Sequence, residues 1–279
     1  MSGQLPPVTG GTIPAAVVAQ FVRSSGMTIE QLMLALIPQA QQAAIPPISN
    51  FFVGAVALGA SGSIYFGANY EFVGQALSFT VHGEQAATAH AISYGETGML
   101  KLAVSAAPCG YCRQFLYELS TASTLEILLP DTPAALLTTL IPDAFGPADL
   151  GVTAALMSPQ SHGMAVPSAP SDPVVQAALK AANASYAPYT FGYAGVALKT
   201  GDGGIFSGSV AENAAYNPSM SPLEAAVVSL VISGGKSYAD IVDAVLVEAG
   251  SKASQVGATR TVLGTITPVT LRAYQAQSS

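Results

Sequence analysis

The sequence predicts an α/β protein in which one α/β unit occurs twice, behind a short helical segment. Apolar runs of strand length alternate with alanine-rich stretches of helical length, a pattern typical of α/β folds. The stretch around residue 50 recurs about 140 residues later, and a region rich in proline and serine separates the copies. We therefore expect a helical segment at 1–46, a first core at 47–156, a linker at 157–172 and a second core at 173–279.

The N-terminal segment is predicted to be helical from the residues that follow Thr28. Glu30 supplies an acidic first turn, and the apolar residues Leu32 and Leu36 follow at helical spacing. Pro38 is expected to end or kink this helix, because proline lacks the amide hydrogen that a helix interior uses.

The first core begins with two short apolar runs, at 52–58 and 63–66, with glycine and serine between them. Runs of this length around a tight turn predict a pair of strands. An alanine-rich helix that a glycine ends is expected at 83–95, followed by a strand at 101–107 and a helix from Cys109.

Residues 188–218 repeat the pattern that opens the first core. Each copy has an apolar strand of small residues, a glycine-rich turn, a strand led by isoleucine, and a glycine with a glutamate four positions later. Gly208 and Glu212 stand 141 residues after Gly67 and Glu71. Two copies of one unit account for the length of the chain.

The two copies differ at the positions that carry chemistry. When the helices after the strands are aligned, Ser221 stands opposite His82 and Leu223 opposite Glu84. No cysteine follows Cys112. The second copy is therefore predicted to keep the scaffold and to have lost the chemistry.

Composition and charge argue against two classes of partner. Only 9% of residues are charged, but the longest uncharged stretch, 31–70, is broken by prolines and amides and has no apolar run of about 18 residues that would span a membrane. The first residues lack the basic and apolar regions of a signal peptide, so we expect a soluble, cytoplasmic protein. A net charge of −7 and nine basic residues, no two closer than eight positions, argue against a nucleic-acid partner.

Both cysteines of the chain lie in the sequence APCGYC, at Cys109 and Cys112. A disulfide, a redox pair and half of a metal site all fit this spacing. The sequence VHGEQ supplies Glu84 and, 27 residues before Cys109, His82. Each pair is expected to open a helix, whose N-terminus favours the thiolate form that zinc needs. His82, Cys109 and Cys112 are therefore candidate zinc ligands.

The sequence offers no obvious fourth protein ligand. His90 lies eight residues after His82 on the same predicted helix, about 12 Å along its axis, and His162 lies in the predicted linker. A zinc site with three protein ligands leaves a position for water, as catalytic sites do. Glu84 would then act as the general base toward that water.

His-x-Glu followed by Pro-Cys-x-x-Cys resembles the signature of zinc-dependent nucleobase deaminases. Together with SNFFVGA, YFGANYEF, VHGEQAA, PCGYCRQF and PDAFGP, it makes the chain similar to the cytidine deaminases that act on free nucleosides. The stretch SGSVAENAAYNP resembles the inactive C-terminal half of the large, two-core, homodimeric branch of that family. The resemblance covers about residues 25–260.

The resemblance implies two three-layer α-β-α cores with mixed sheets, the first catalytic and the second degenerate. It implies one Zn²⁺ per chain, held by His82, Cys109 and Cys112. Glu84 would shuttle protons between the attacking water, ring N3 and the departing amine.

The resemblance also implies a set of substrate contacts and a homodimer. Asn69 and Glu71 would bind the ribose hydroxyls, and Phe51 and Phe145 would line the base pocket. A further pair, on the second core, would reach the active site of the other subunit: Ala215 and Tyr216.

Two positions depart from the family pattern. Gly83 stands where the family has alanine or cysteine, and Ala107 where it has threonine or serine. The first change affects backbone flexibility beside a contact made by the main chain. The second removes a hydroxyl next to Cys109.

The expected function is zinc-dependent hydrolysis of cytidine and 2′-deoxycytidine to uridine and 2′-deoxyuridine with release of ammonia, a step of pyrimidine salvage. Two alternatives remain open at this point. One is the same chemistry on another aminated nucleoside or on a polynucleotide base. The other is a non-enzymatic binding protein that uses the Cys-x-x-Cys sequence for zinc or redox chemistry.

Overall fold

The structure is a computed structural model that describes residues 5–167 and 171–278. The predicted N-terminal segment, linker and second core include residues 1–4, 168–170 and 279, which lie outside the described residues. The chain divides into two compact units. The first comprises Met1–Tyr70 and Val81–Ser158, and the second comprises Glu71–Thr80 and Pro159–Ser279.

The first unit contains one mixed sheet. Its strands are β1 (Thr12–Ile13), β2 (Gly54–Gly59), β3 (Ile64–Ala68), β4 (Met99–Val104), β5 (Glu126–Leu128) and β6 (Ala135–Leu136). They lie in the order β1-β3-β2-β4-β5-β6. β4 and β5 run parallel, whereas the other neighbours are antiparallel. The sheet is therefore mixed, as predicted.

The described part of the same unit has five α-helices: α1 (Ala15–Ser25), α2 (Ile29–Gln41), α3 (Gly83–Ser93), α4 (Gly110–Leu116) and α5 (Leu137–Leu140). Thr28 caps α2, since its Oγ1 accepts a hydrogen bond from Gln31 N at 3.2 Å. Of the two effects expected of Pro38, an end of the helix is not observed, because α2 continues to Gln41. Buried Ile37 and Ala40 hold this last turn in place.

The two faces of the first sheet are covered by different helices. A Cβ on Gly54 would lie 2.7 Å from the carbonyl oxygen of Ile37 in α2, and a Cβ on Gly67 would collide with the carbonyl of Gly83 in α3. Gly67 pairs with Ala55, and neighbouring residues of a strand point to opposite faces, so Gly54 and Gly67 lie on opposite faces. The unit is therefore a three-layer α-β-α core, as predicted.

The second unit repeats this arrangement. Its strands are β7 (Met164–Ala165), β8 (Ala194–Thr200), β9 (Ile205–Ser209), β10 (Ile241–Ala249) and β11 (Leu271–Ser278), in the order β7-β11-β10-β8-β9. Its α-helices are α6 (Pro173–Asn183), α7 (Pro222–Val228) and α8 (Val256–Ile266). β10 and β11 are the parallel pair, so β9-β8-β10-β11 matches β3-β2-β4-β5 of the first sheet in order and direction.

Close contacts between helices and strands explain why both copies keep their glycines. A Cβ on Gly195 would collide with the Ala178 carbonyl in α6, and a Cβ on Gly208 would collide with the Ala226 amide nitrogen in α7. These close helix–strand contacts match those of Gly54 and Gly67. The internal repeat predicted from the sequence is therefore confirmed. No helix within residues 5–167 and 171–278 is long and apolar enough to cross a membrane.

Helix α7 has a buried carboxylate, Glu224, at a position where its counterpart α3 has an amide. Glu224 accepts a hydrogen bond from Ser221 N at 2.7 Å, and Ser221 Oγ accepts one from Glu224 N at 3.3 Å. In α3 the corresponding residue is Gln85, whose Oε1 accepts a hydrogen bond from His82 N at 3.3 Å. Burial raises the pKa of Glu224 from 4.5 to about 7.

Glu224→Gln should stabilise the protein at neutral and alkaline pH. A folded-state pKa above the unfolded value means that the wild type loses unfolding free energy as the pH rises from 4.5 to about 7. The amide keeps the hydrogen bond to Ser221 N and removes this loss, which is up to about 3 kcal/mol. Urea unfolding of both proteins at pH 5 and pH 8 measures the effect. A difference of less than about 1 kcal/mol at pH 5 is the internal control, and equal stability at pH 8 would contradict the assignment.

Candidate active site

Three candidate metal ligands meet at the start of two helices. His82 and Cys109 are the residues directly before α3 and α4, and Cys112 lies in the first turn of α4. His82 Nδ1 lies 3.3 Å from Cys112 Sγ and 3.6 Å from Cys109 Sγ, and the two sulfurs are 3.7 Å apart. Both cysteines are free thiols.

These distances fit a tetrahedral zinc ion. With Zn–S bonds of about 2.3 Å and Zn–N bonds of about 2.0 Å, tetrahedral angles place two sulfurs about 3.8 Å apart and a sulfur and a nitrogen about 3.6 Å apart. The ligand atoms of His82, Cys109 and Cys112 form a group of this size. Because a histidine nitrogen converges on both sulfurs, the geometry favours a metal site over a redox pair.

The two thiols have different acidities. The hydrogen bond from Cys112, together with backbone amides of the first turn of α4, lowers the pKa of Cys109 to about 5. The same hydrogen bond and burial raise the pKa of Cys112. Cys109 is therefore ready to bind a cation at neutral pH, whereas Cys112 releases its proton when metal binds.

Glu84 lies beside the ligands without joining them. Its carboxyl group neighbours the Cys112 thiol, and only 4% of the residue is exposed. Burial raises the pKa of Glu84. Thr88 Oγ1 donates to the Glu84 carbonyl at 2.9 Å, within α3. A buried carboxyl group in this position suits transfer of protons at the metal site.

Asn69 connects the predicted base-pocket residue Phe51 to the start of α3. Its amide donates to the Phe51 carbonyl at 2.8 Å and accepts from Val53 N at 2.9 Å. The Phe51 residue is 59% exposed, so it is not part of the core. A Cβ on Gly83 would lie 2.9 Å from Val53 Cγ1. The segment that Asn69 holds therefore contacts the residue between His82 and Glu84.

The contact of Val53 also bears on the departure at Gly83. Alanine at this position would require the Val53 side chain to shift, because real Cβ atoms do not approach another carbon this closely. Ala107, the other departure, is exposed one residue before Pro108.

Phe145 lies on the loop between α5 and the short 3₁₀ helix Pro147–Leu150. Its carbonyl accepts a hydrogen bond from Gln114 Nε2 of α4 at 2.7 Å, and the residue is 45% exposed. The loop that carries Phe145 is thus attached to the helix that carries Cys112.

The three remaining candidates lie in the second unit: Glu71, Ala215 and Tyr216. Glu71 is buried. Ala215 and Tyr216 are exposed on a turn in which Tyr216 has a φ of +64° and Ala215 N donates to Asn213 Oδ1 at 3.0 Å. Their roles stay predictions.

Glu212, the counterpart of Glu71 in the second core, shows a structural role that a glutamate can have at this position. The Glu212 carboxylate accepts hydrogen bonds from the backbone amides of Tyr189, at 3.0 Å, and Thr190, at 3.2 Å. It also accepts from the Thr190 hydroxyl. In the second copy this carboxylate therefore stabilises a turn.

Two family models with the description "Cytidine and deoxycytidylate deaminase zinc-binding region" match the chain, one over residues 27–126 and one over residues 137–260. Together they cover well over half of it. The chain belongs to the cytidine and deoxycytidylate deaminase family.

Curated relatives extend over most of the chain. The cytidine deaminase of Photobacterium profundum is 48% identical over 243 residues, which are 87% of this chain and 81% of that protein. The cytidine deaminase of Aeromonas hydrophila is 49% identical over 260 residues, 93% of this chain and 87% of that protein. The cytidine deaminase of Aeromonas salmonicida is 50% identical over 239 residues.

In this family member, the candidate metal ligands within the described residues all lie in the first core. Ser221 and Leu223 occupy the positions of His82 and Glu84, and Ser221 serves as the cap of α7. Within the described residues, the one group of three or more ligating side chains close enough for a metal is His82, Cys109 and Cys112. The second core is therefore degenerate, as predicted.

Two neighbours of the site, Tyr111 and Gln114, were not predicted from the sequence. The Tyr111 ring stacks on His82, with ring centroids 5.6 Å apart at 28°. Arg113 donates to two backbone carbonyls, and Gln114 donates to a third. The available signal was position alone, since these residues lie within or directly after the Cys-x-x-Cys sequence.

Proposed function

We propose that the protein catalyses the zinc-dependent hydrolysis of cytidine and 2′-deoxycytidine to uridine and 2′-deoxyuridine with release of ammonia. One observation carries the proposal: a carboxylate, Glu84, is buried directly beside a group of three ligands but is not one of them. A site built only to bind metal has no use for such a group. Membership of the deaminase family supports the same reaction.

Zinc, when bound by His82, Cys109 and Cys112, would supply the Lewis acid that activates the attacking water. Glu84 takes a proton from this water and delivers it to ring N3 as the new C4–O bond forms. Glu84 then takes the remaining proton from the new C4 hydroxyl and delivers it to the amine, so that the C4=O bond forms as the C4–N bond breaks and ammonia leaves. Its burial keeps bulk water from competing for these protons.

The substrate contacts follow the predicted assignments. Phe51 and Phe145 present exposed rings on segments tied to α3 and α4. These rings would line the base pocket. Asn69 has bonding capacity left for a ribose hydroxyl, because its amide has a second hydrogen and its carbonyl a second lone pair. Glu71 would bind the other hydroxyl.

We propose further that the enzyme is a homodimer in which Ala215 and Tyr216 of the second core complete the active site of the other subunit. Tyr216 is 62% exposed, and its backbone has a positive φ. Both observations support a role for Tyr216 in contact with another subunit. A cytoplasmic location stays a prediction from the sequence.

Mixed dimers test the contribution across subunits. Glu84→Gln removes the acid–base group of one core, and Tyr216→Asp damages the contact on the other. A dimer of the two variants regains one intact site only if Tyr216 acts across the interface. Equal mixtures of dissociated and reassociated subunits should therefore recover about a quarter of wild-type activity per subunit. Mixtures no more active than the separate variants would contradict action across the interface.

The proposed reaction is tested directly by mixing the purified protein with cytidine. Loss of the C4 amine should lower the ultraviolet absorbance of the base, with ammonia released in equal amount, by protein that carries about one zinc per chain. Zinc without turnover would mean that free cytosine nucleosides are not the substrate. A protein with no bound zinc and no turnover would instead favour the interpretation of the two cysteines as a redox pair.

A further inference from the structure

Helix α4 carries more than a metal ligand. The Arg113 guanidinium donates from Nε to the carbonyl of Pro108 at 2.8 Å and from Nη1 to the carbonyl of Leu140 at 2.7 Å. Pro108 directly precedes Cys109, and Leu140 is the last residue of α5. One side chain therefore joins the turn of the first thiolate to the start of the loop that carries Phe145.

The same helix also holds the far part of that loop. Gln114 Nε2 donates to the carbonyl of Phe145 at 2.7 Å. A Cβ on Gly146 would lie 2.7 Å from Cε1 of Tyr117, so glycine is what lets the loop approach the Tyr117 ring. Residues 113, 114 and 117 thus attach the loop to α4 at both of its ends.

These contacts are not equivalent in strength or in what replaces them. Hydrogen bonds from a charged donor are about twice as strong as those between neutral groups. The planar guanidinium holds two donors in a fixed fork, whereas a lysine is a single flexible cation that cannot reach two separate carbonyls in this way. Gln114 makes a neutral bond to one carbonyl of the loop.

We propose that Arg113 and Gln114 are positioning residues that set the metal site and the base pocket relative to each other. Arg113 holds the Cys109 turn and the loop together, whereas Gln114 holds the Phe145 end of the loop. The role of Phe145 toward the base rests on the proposed function. The role of Arg113 toward the metal does not.

The two variants Arg113→Met and Gln114→Met should therefore differ in their effects on zinc release and on KM. Arg113→Met should speed zinc release to a chromophoric chelator about 10- to 100-fold, the usual cost of losing an outer-shell partner, and should raise KM for cytidine about 10-fold. Gln114→Met should raise KM about 5-fold, as expected for one neutral hydrogen bond, and leave zinc release unchanged. Cobalt-substituted protein gives an independent signal, since the thiolate absorption should shift only in the Arg113 variant.

Lys101→Met is the matched control. Lys101 is a partly buried cation of the same core, paired with Glu30 at 3.0 Å and with Glu126, and it contacts neither α4 nor the loop through these pairs. Its loss should lower stability but leave zinc release and KM as in the wild type. Arg113→Lys keeps the charge and most of the volume, and it should still release zinc faster than the wild type.

Several results would overturn the proposal. If Arg113→Lys, or a folded Arg113→Met, kept the zinc release rate and the KM of the wild type, the two hydrogen bonds of Arg113 would have no positioning role. Equal effects in the Arg113, Gln114 and Lys101 variants would show that only general stability has changed. If the wild type fails to deaminate cytidine, the proposed function fails, but zinc release and the cobalt spectrum still decide the role of Arg113.

Discussion

Glu84→Gln should abolish turnover and leave the zinc content and the fold unchanged. Glu84 is outside the ligand group of His82, Cys109 and Cys112, so its replacement leaves all three ligands in place. The amide has nearly the same shape as the carboxyl group but cannot carry a proton from water to the base. We expect kcat to fall by about 10⁴-fold, the upper end of what a positioned acid–base group contributes.

Steady-state kinetics with cytidine, zinc counts and thermal unfolding measure the three parts of this expectation. Glu96→Gln is the matched control, because Glu96 is a buried carboxylate of the same core that accepts hydrogen bonds from Ser61 and Tyr65 instead. It should lower stability and leave kcat near the wild-type value. Deamination by Glu84→Gln at a rate near that of the wild type would refute the assigned mechanism.

Local signals explain how much of the fold was predictable. The strands β2 and β3 follow from short apolar runs, and α3 follows from its alanines and its terminal glycine, Gly95, which has a φ of +78°. The strands β1 and β6 were not predicted. Each has two residues and is defined by its pairing with another strand, as Thr12 pairs with Tyr65 in β3 and Ala135 with Ile127 in β5. Two residues carry no periodicity, so no pattern indicates them.

The site shows the same division between local and long-range information. His82, Cys109 and Cys112 could be predicted because their residue types and spacing form a motif, and the structure brings their ligand atoms together as the motif implies. The contacts of Asn69 could not be predicted from the sequence. Which backbone groups its amide meets depends on the path of the chain through Asn50, a non-glycine residue with a φ of +53°.

The environment of His90 was also beyond reach of the sequence. Its ring is completely buried, with Nδ1 2.8 Å from the Phe66 carbonyl and Nε2 3.4 Å from Thr12 Oγ1. Burial lowers the pKa of His90 to about 4. Both partners lie on strands distant in sequence, so helical spacing alone could not distinguish a buried histidine from an exposed one.

His82→Ser should remove the zinc and the activity but not the scaffold. Serine is what the degenerate core has at this position, and there Ser221 caps α7 by accepting a hydrogen bond from Glu224 N. Serine is among the favoured caps, worth about 1 kcal/mol relative to a residue that does not cap. The metal-free variant should therefore be as stable as the metal-free wild type, or more stable by up to about 1 kcal/mol.

The comparison must be made without metal, because zinc bound only to the folded wild type adds its binding free energy to the measured stability. Denaturant unfolding after dialysis against a chelator provides it, and zinc counts and cytidine turnover complete the set. Cys109→Ser is the matched control, since it also removes one ligand but has no counterpart in the second core. A His82→Ser protein that keeps zinc would show that His82 is not a ligand. A metal-free variant that cannot fold would show that the serine of the second core is not an equivalent cap.

Taken with Glu84→Gln, the serine variant separates the two components of the site. Loss of Glu84 should stop proton transfer while metal stays bound, whereas loss of His82 should remove the metal while Glu84 stays in place. The second core lacks both groups and still folds into the same β9-β8-β10-β11 arrangement with α6 and α7 on its two faces. The close helix–strand contacts at Gly54, Gly67, Gly195 and Gly208 are common to both copies. We therefore expect that the candidate catalytic residues can be exchanged on this α-β-α unit with little cost to folding.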